Sequence, residues 1–474
     1  MTKAEAQHDA ELNKIAASQG AASPLIFSVD LRKEELIIPS DFRQDNECIM
    51  RGGLPNFFAK IKAGQDVTIA FIGGSLTQAN YCYRMQVSTY LQACYPAVKF
   101  KWINAGVAGT GTDLGAFRIQ EQVLSQEPDL VIIDFAVNGA YAEGMEGMIR
   151  QIIQHDPYTD ICLIYALLGD QTKLYRNGII PSHIKALEAL ADHYNLPAVH
   201  LGMEVARLES QDKLLWKGDK EAAAKRILFS TDGIHPLKAG GDLYAAAIAR
   251  GMNKMKALSK VAVHPLPRPL ISSDWDVAGM YYPSDIADFD DKWTAVPTEQ
   301  SKLKAFNGWF DTLMVANDAG AQCSFTFEGD ILGLFDIGGP EVGQLEIWVD
   351  GHQIDLQKLH LTGFQPYQMA AADKGITLLN RFNAFCNNRY RGQYDLITVP
   401  TGKHEVSFRI SPLKADKRTV LGPSQHEDID RYPAKYDAST IYLGRILLRG
   451  KPILKTAGKI RNMKPNNVFN DRGQ

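Results

Sequence analysis

A serine, an asparagine, an aspartate and a histidine stand where this sequence could do chemistry. Ser75 closes the stretch Val67-Thr68-Ile69-Ala70-Phe71-Ile72-Gly73-Gly74-Ser75, in which six apolar or β-branched residues run into two glycines. Such a run reads as a buried parallel strand that ends in a tight turn, and open α/β sheets place their chemistry at that carboxyl end. Glycines let the backbone turn sharply, and a serine after them can present its hydroxyl beside free backbone N–H groups. The same small residues also fill ordinary turns. Asp232 and His235, in Ser230-Thr231-Asp232-Gly233-Ile234-His235-Pro236, form an Asp-x-x-His step. A carboxylate at that spacing can hold the imidazole in one tautomer while the other ring nitrogen takes a proton from a serine. The bland alternative is an aspartate that caps a turn or helix. Asn138 ends the run Asp129–Val137 and is either a turn residue or an amide donor for an oxyanion.

The elements that must position these groups alternate regularly. Apolar runs at Val67–Ile72, Val98–Ile103, Leu130–Phe135, Ile161–Leu167 and Ala198–Leu201 read as strands. Between them, helical periodicity appears around Arg84–Ala93, Leu114–Leu124, Met145–Ile153 and Ser182–Tyr194, and Asp242–Ala257 closes the series. Strand, helix, strand repeated in this way predicts right-handed crossovers and a parallel α/β sheet, expected as five strands in the flavodoxin-like order 2-1-3-4-5. A second glycine-rich turn, Asn104–Thr112, follows the second strand at the same edge as Ser75. It is not a dinucleotide fingerprint, because Leu114 stands where the third glycine of G-x-G-x-x-G belongs. Residues 1–47 are expected as an N-terminal arm. Met1–Ser23 reads as a frayed helix or disordered segment, and the runs Leu25–Phe27 and Leu36–Ile38 as short strands lying on the second domain. Residues 48–260 form the expected α/β domain, and 261–270, with His264-Pro265-Leu266-Pro267-Arg268-Pro269, the expected linker. Over 271–455, strand-like runs at Cys323–Phe327, Ile331–Phe335, Leu345–Val349, Leu396–Val399 and Glu405–Ile410 predict an all-β, jelly-roll-like sandwich, and 456–474 a loose tail.

Composition narrows the function. The chain has 474 residues, 51 basic and 54 acidic, and a net charge of -3. That length predicts two domains, and that balance argues against a nucleic-acid partner. The cysteines Cys48, Cys82, Cys94, Cys162, Cys323 and Cys386 show no C-x-x-C spacing, so neither a zinc site nor a disulfide framework is expected. No apolar run approaches the roughly 20 residues of a membrane span. Met1–Gly20 lacks an apolar signal core, so the chain as written reads as cytoplasmic, or as periplasmic or secreted where a signal peptide has been removed. Oligomeric state is not legible.

Together, the blocks around Ser75, Gly109, Asn138 and Asp232–His235 resemble those of the SGNH, or GDSL-type, hydrolases, which supply a serine, a glycine, an asparagine and a histidine in that chain order. The resemblance covers about Val67 to Ala257. It implies a three-layer α/β fold with Ser75 as nucleophile, His235 as base and Asp232 as its orienting carboxylate. The oxyanion donors it implies are Ser75 N–H, Gly109 N–H and the Asn138 amide. No metal or cofactor is required. Two positions depart from the family pattern. Gly74 stands where the aspartate of Gly-Asp-Ser-Leu would be, and Ala136-Val137-Asn138-Gly139 keeps only the asparagine of Gly-x-Asn-Asp. Gly-Gly-Ser variants with an appended β-domain look more like carbohydrate esterases, so the expected function is removal of a small acyl group, most simply acetyl, from an acylated carbohydrate. A glycan O-acyltransferase using the same residues, and a glycan-binding protein with an idle hydrolase domain, are the alternatives. Trp275, Trp293, Trp309 and Trp348 are candidates for sugar stacking in the second domain, each also a candidate core residue.

Overall fold

The strand leading to Ser75 is apolar at nearly every position because both of its faces are covered. Ile69 and Phe71 join Leu130, Ile132, Cys162, Ile164 and Val199 in one core. That core also takes in Phe57 and Phe58 of helix Pro55–Lys62, Val87 and Leu91 of helix Arg84–Cys94, and Tyr244, Ile248 and Met252 of helix Lys238–Met255. Ala70, Ile72, Val131 and Ile133, which alternate with the first set, are equally buried. A strand in that position cannot show a polar-apolar alternation.

The computed structural model of the protein describes residues 22–39, 45–359, 366–370 and 374–454. The expected arm over Met1–Ser23, apart from Ala22 and Ser23, and the expected tail over 456–474 lie outside the described residues. The chain divides into two compact units, Ala22–Met280 and, among the described residues, Tyr281–Leu359 with 366–454.

In the first unit a seven-stranded sheet is built from β1 (Ile26–Phe27), β2 (Cys48–Ile49), β3 (Val67–Gly73), β4 (Phe100–Gly106), β5 (Leu130–Asp134), β6 (Asp160–Tyr165) and β7 (Ala198–His200), in the order β1-β4-β3-β5-β6-β7-β2. The central strands run parallel, with Gly73 level with Gly106 on one side and Asp134 on the other. The sheet is therefore larger than the five strands expected, because β1 and β2 add antiparallel edges to β4 and β7.

The segment 22–39 is also corrected. Phe27 pairs with Trp102 and stacks on it at 6.1 Å, so this segment belongs to the first unit. Two-residue strands carry too little pattern to reveal their partner.

The proline-rich stretch 261–270, expected as a linker, is strapped to the same unit. His264 Nε2 lies 2.7 Å from the buried Asp160 carboxylate, and Ala262 N–H donates to Asn56 Oδ1. Beyond it, Glu146 accepts the N–H groups of Leu270, Ile271 and Ser272. Arg150 grips Asp276 at 2.9 Å. Proline rules out helix here, but it does not rule out docking.

The second unit is sheet-rich. Its long strands Gln322–Gly338 and Arg391–Ile410 pair antiparallel along nearly their whole length, and Ile441–Pro452 flanks the first of them. Runs expected as separate strands are thus halves of continuous ones. A register shift between Gly329 and Ile331 marks where the burial pattern changes from alternating to continuous. Arg381 is held in this interior by Asp336, at 2.6 and 2.9 Å, and by Asp395.

Candidate active site

Ser75 is the first residue of the one-turn helix Ser75–Gln78, two residues beyond the end of β3. The turn is possible only because of Gly73, where a Cβ would overlap the Thr77 hydroxyl and the Asp134 carbonyl. Buried arginines hold it from two sides. Arg118, on helix Thr112–Gln122, donates to the Gly73 carbonyl at 3.0 Å and to the Ala105 carbonyl, tying the ends of β3 and β4 together. Arg84 donates to the Thr77 and Gln78 carbonyls at 2.9 and 3.2 Å, and its guanidinium lies 4.2 Å over Phe27 of β1. Burial pulls the Arg84 pKa down to about 10, still well above neutrality.

Asp232 and His235 arrive from a different element. The parallel pair β8 (Leu214–Lys217) and β9 (Ile227–Ser230) leads into their loop, which is closed by a bridge between Ser230 and Pro236. Leu237 N–H donates to Phe229 O at 2.7 Å, and the Trp216 indole donates to Gly233 O at 3.1 Å. Within this frame, Asp232 Oδ1 accepts from Ser230 Oγ at 2.9 Å and from the N–H groups of Ile234 and His235 at 2.8 Å. Its Oδ2 lies 2.7 Å from His235 Nδ1, and His235 Nε2 lies 2.8 Å from Ser75 Oγ. Partial burial pushes the Asp232 carboxyl up, but the His235 ring, the two N–H groups and the Ser230 hydroxyl outweigh it and hold the pKa well below the usual carboxylate range. Asp232 is therefore ionised at neutral pH. The pair fixes Nδ1 as the protonated nitrogen and leaves Nε2 to receive the serine proton.

Two more turns flank Ser75. Asn138 follows β5, and its amide lies against the Gly74–Ser75 turn, since a Cβ on Gly74 would stand 3.0 Å from Asn138 Nδ2. Gly139 has φ +47, and its carbonyl accepts from Thr112 N–H at 3.0 Å, which sets the loop against the following helix. Gly109, with φ +71, follows β4 in a turn pinned by the hydrogen bond from Ala108 N–H to Gln78 Oε1 at 2.7 Å. Among the described residues, neither the Gly109 N–H nor the Asn138 amide has an acceptor. Both are free to donate to a ligand.

A comparison with known proteins fits this geometry. No protein-family model matches the chain. A curated acetylxylan esterase from Geobacillus stearothermophilus is 27% identical over 216 residues, 40% of this chain and 95% of that protein. Two solved structures of a two-domain esterase active on acetylated mannans, one co-crystallised with mannopentaose, are similar at TM-scores of 0.62 and 0.63 and 22% identity. They cover 88% and 87% of this chain and 100% and 99% of theirs. The chain shares the fold of that two-domain structure over most of its length.

Sequence reasoning missed the supports of this candidate site. Arg84 and Arg118 read as surface residues of amphipathic helices, and nothing local marks them as buried. Asp134 left a clearer signal, an acidic residue inside an apolar strand. It is 2% exposed at the end of β5, and neither of its carboxylate oxygens has a hydrogen-bond partner among the described residues. Burial pushes its pKa up to about 7, and the Ala136 N–H and the Tyr83 hydroxyl, which lie nearby without forming a well-shaped hydrogen bond to it, oppose that only in part. The tryptophans proposed for sugar stacking are largely absorbed by packing. Trp293 and Trp309 are buried, Trp348 lies under Arg409 at 4.6 Å, and Trp275 meets Phe117 edge-on inside the first unit.

Proposed function

We propose that this protein is an esterase that removes acetyl groups from a carbohydrate, with Ser75 as nucleophile, His235 as general base and Asp232 as the carboxylate that orients it. The observation carrying this reading is the continuous hydrogen-bonded line from Asp232 Oδ2 through the His235 ring to Ser75 Oγ, at 2.7 and 2.8 Å. His235 Nε2 takes the Ser75 proton as Oγ attacks the acetyl carbonyl, and the negative charge that develops on the carbonyl oxygen is met by Ser75 N–H, Gly109 N–H and the Asn138 amide. Collapse breaks the bond to the sugar oxygen, which leaves with the proton from His235. Water, deprotonated by the same nitrogen, then attacks the acetyl-Ser75 carbonyl. Acetate departs and Ser75 regains its proton.

The substrate class is supported by the acetylated xylan and acetylated mannan named for the similar proteins. We assign β4-β3-β5-β6-β7 as a flavodoxin-like core within a catalytic unit running from Ala22 to Met280, and the second unit as a jelly-roll-like sandwich. Acetate release from acetylated mannan and acetylated xylan by the wild type and by Ser75→Ala tests the reading. The substitution removes a nucleophile with no substitute, and kcat is expected to fall by on the order of 10⁴ or more. Retention of about a tenth of the activity would refute the assignment.

A further inference from the structure

The loop that leaves the nucleophile's helix is clamped everywhere except at one aromatic ring. Arg84 donates to Asn80 Oδ1 at 2.9 Å, Gln86 Nε2 donates to the Tyr81 carbonyl at 2.7 Å, and the fully buried Tyr83 shares a 2.6 Å hydrogen bond with Thr77 Oγ1. The Tyr81 backbone also meets the segment carrying the base. Helix Lys238–Met255 comes so close that any Cβ at Gly241 would overlap the Tyr81 carbonyl, and the Cys82 thiol faces the Pro236 carbonyl at 3.9 Å. Yet the Tyr81 residue itself is 56% exposed, and its side chain has no hydrogen bond or ring contact among the described residues. Ile234 and Leu237, on either side of His235, are exposed as well.

Single exposed apolar residues are normal. Here two of them flank His235 in sequence, and the third stands on the loop whose backbone and Cys82 thiol meet the segment just after His235. A phenol ring on a pinned backbone loses little freedom when it binds, and its face matches the C–H face of a pyranose. We infer that Tyr81 is the platform on which the sugar ring bearing the scissile acetyl group stacks, with Ile234 and Leu237 completing an apolar rim. This deepens the carbohydrate reading above and rests on it. The ring holds the part of the substrate that does not react, so its binding energy selects sugar esters over small ones.

The test compares Tyr81→Ala, Tyr81→Phe and Tyr81→Trp with the wild type on an acetylated mannose or xylose oligosaccharide and on 4-nitrophenyl acetate. The readout is the ratio of kcat/KM on the sugar ester to that on the small ester. Tyr81→Ala is expected to lower the ratio about tenfold, mainly through KM on the sugar ester, as loss of one stacked ring implies. Tyr81→Phe and Tyr81→Trp keep the ring face and are expected within about threefold of the wild type. An unchanged ratio for Tyr81→Ala overturns the assignment, including the case in which both substrates suffer equally because the nucleophile turn has shifted. A fall in Tyr81→Phe as large as in Tyr81→Ala overturns it too, by showing that the hydroxyl matters and the ring face does not. A wild-type enzyme that cleaves 4-nitrophenyl acetate through Ser75 but no acetylated sugar would overturn the carbohydrate reading itself, and with it this one.

Discussion

Replacing Asp134 by asparagine should stabilise the first unit at high pH and not at low pH. The carboxyl is buried at the end of β5 near the Tyr83 hydroxyl, and burial raises its pKa from 3.8 to about 7. Below pH 3.8 the group is protonated in both the folded and the unfolded chain and has no effect on their balance. Between 3.8 and 7 the unfolded chain releases its proton while the folded chain keeps it, so stability falls as pH rises, and above 7 the penalty is constant. At about 1.4 kcal/mol per pH unit the full penalty is about 4 kcal/mol. Roughly 3 kcal/mol of it accumulates between about pH 5 and pH 8. Asparagine cannot ionise. Its buried amide lacks partners as well, which costs on the order of 1–3 kcal/mol, but that cost does not depend on pH. The quantity to measure is therefore the change with pH in the stability difference between Asp134→Asn and the wild type. Native-state hydrogen exchange of β3 and β5 amides, corrected for intrinsic exchange rates, reads it for this unit alone. The mutant should gain roughly 3 kcal/mol relative to the wild type from about pH 5 to pH 8. A difference that stays flat, or shrinks, would show that the carboxyl ionises normally and that its burial has been misread.

Asn138→Ala should lower kcat by roughly 10²–10³ with a smaller change in KM, because the amide acts on charge that exists mainly in the transition state. Steady-state kinetics on a soluble acetyl ester decide it, and a loss confined to KM would remove Asn138 from the oxyanion site. A chain of residues 22–280 should fold and cleave 4-nitrophenyl acetate. One ending at Ser259 should lose at least about 3 kcal/mol of stability, because it strips the buried carboxylates of Asp160 and Glu146 of the partners supplied by His264 and Leu270–Ser272. Equal melting curves for the two would mean that residues 260–280 only decorate the surface.

The alternation of strand and helix and the positions of Ser75, Gly109, Asn138, Asp232 and His235 were legible in the sequence because they are local. An apolar run flanked by glycines specifies a buried strand and its turn within about ten residues, as Val67–Ser75 does. The Asp232–His235 hydrogen bond is also local, a three-residue step closed by its own backbone. What brings His235 Nε2 to Ser75 Oγ spans 160 residues, and no window of sequence contains it. The same limit hid the strap of 261–270, the edge strands β1 and β2, and the buried roles of Arg84 and Arg118. Each depends on which surface the rest of the chain presents, and an arginine on an amphipathic helix or a proline-rich stretch reads the same whether it meets solvent or a ring of carbonyls. The sequence by itself determined the chemical groups and the secondary structure that carries them. Only tertiary packing decided which of them meet, because burial and long-range hydrogen bonding are properties of the assembled sheet and helices and not of any one segment.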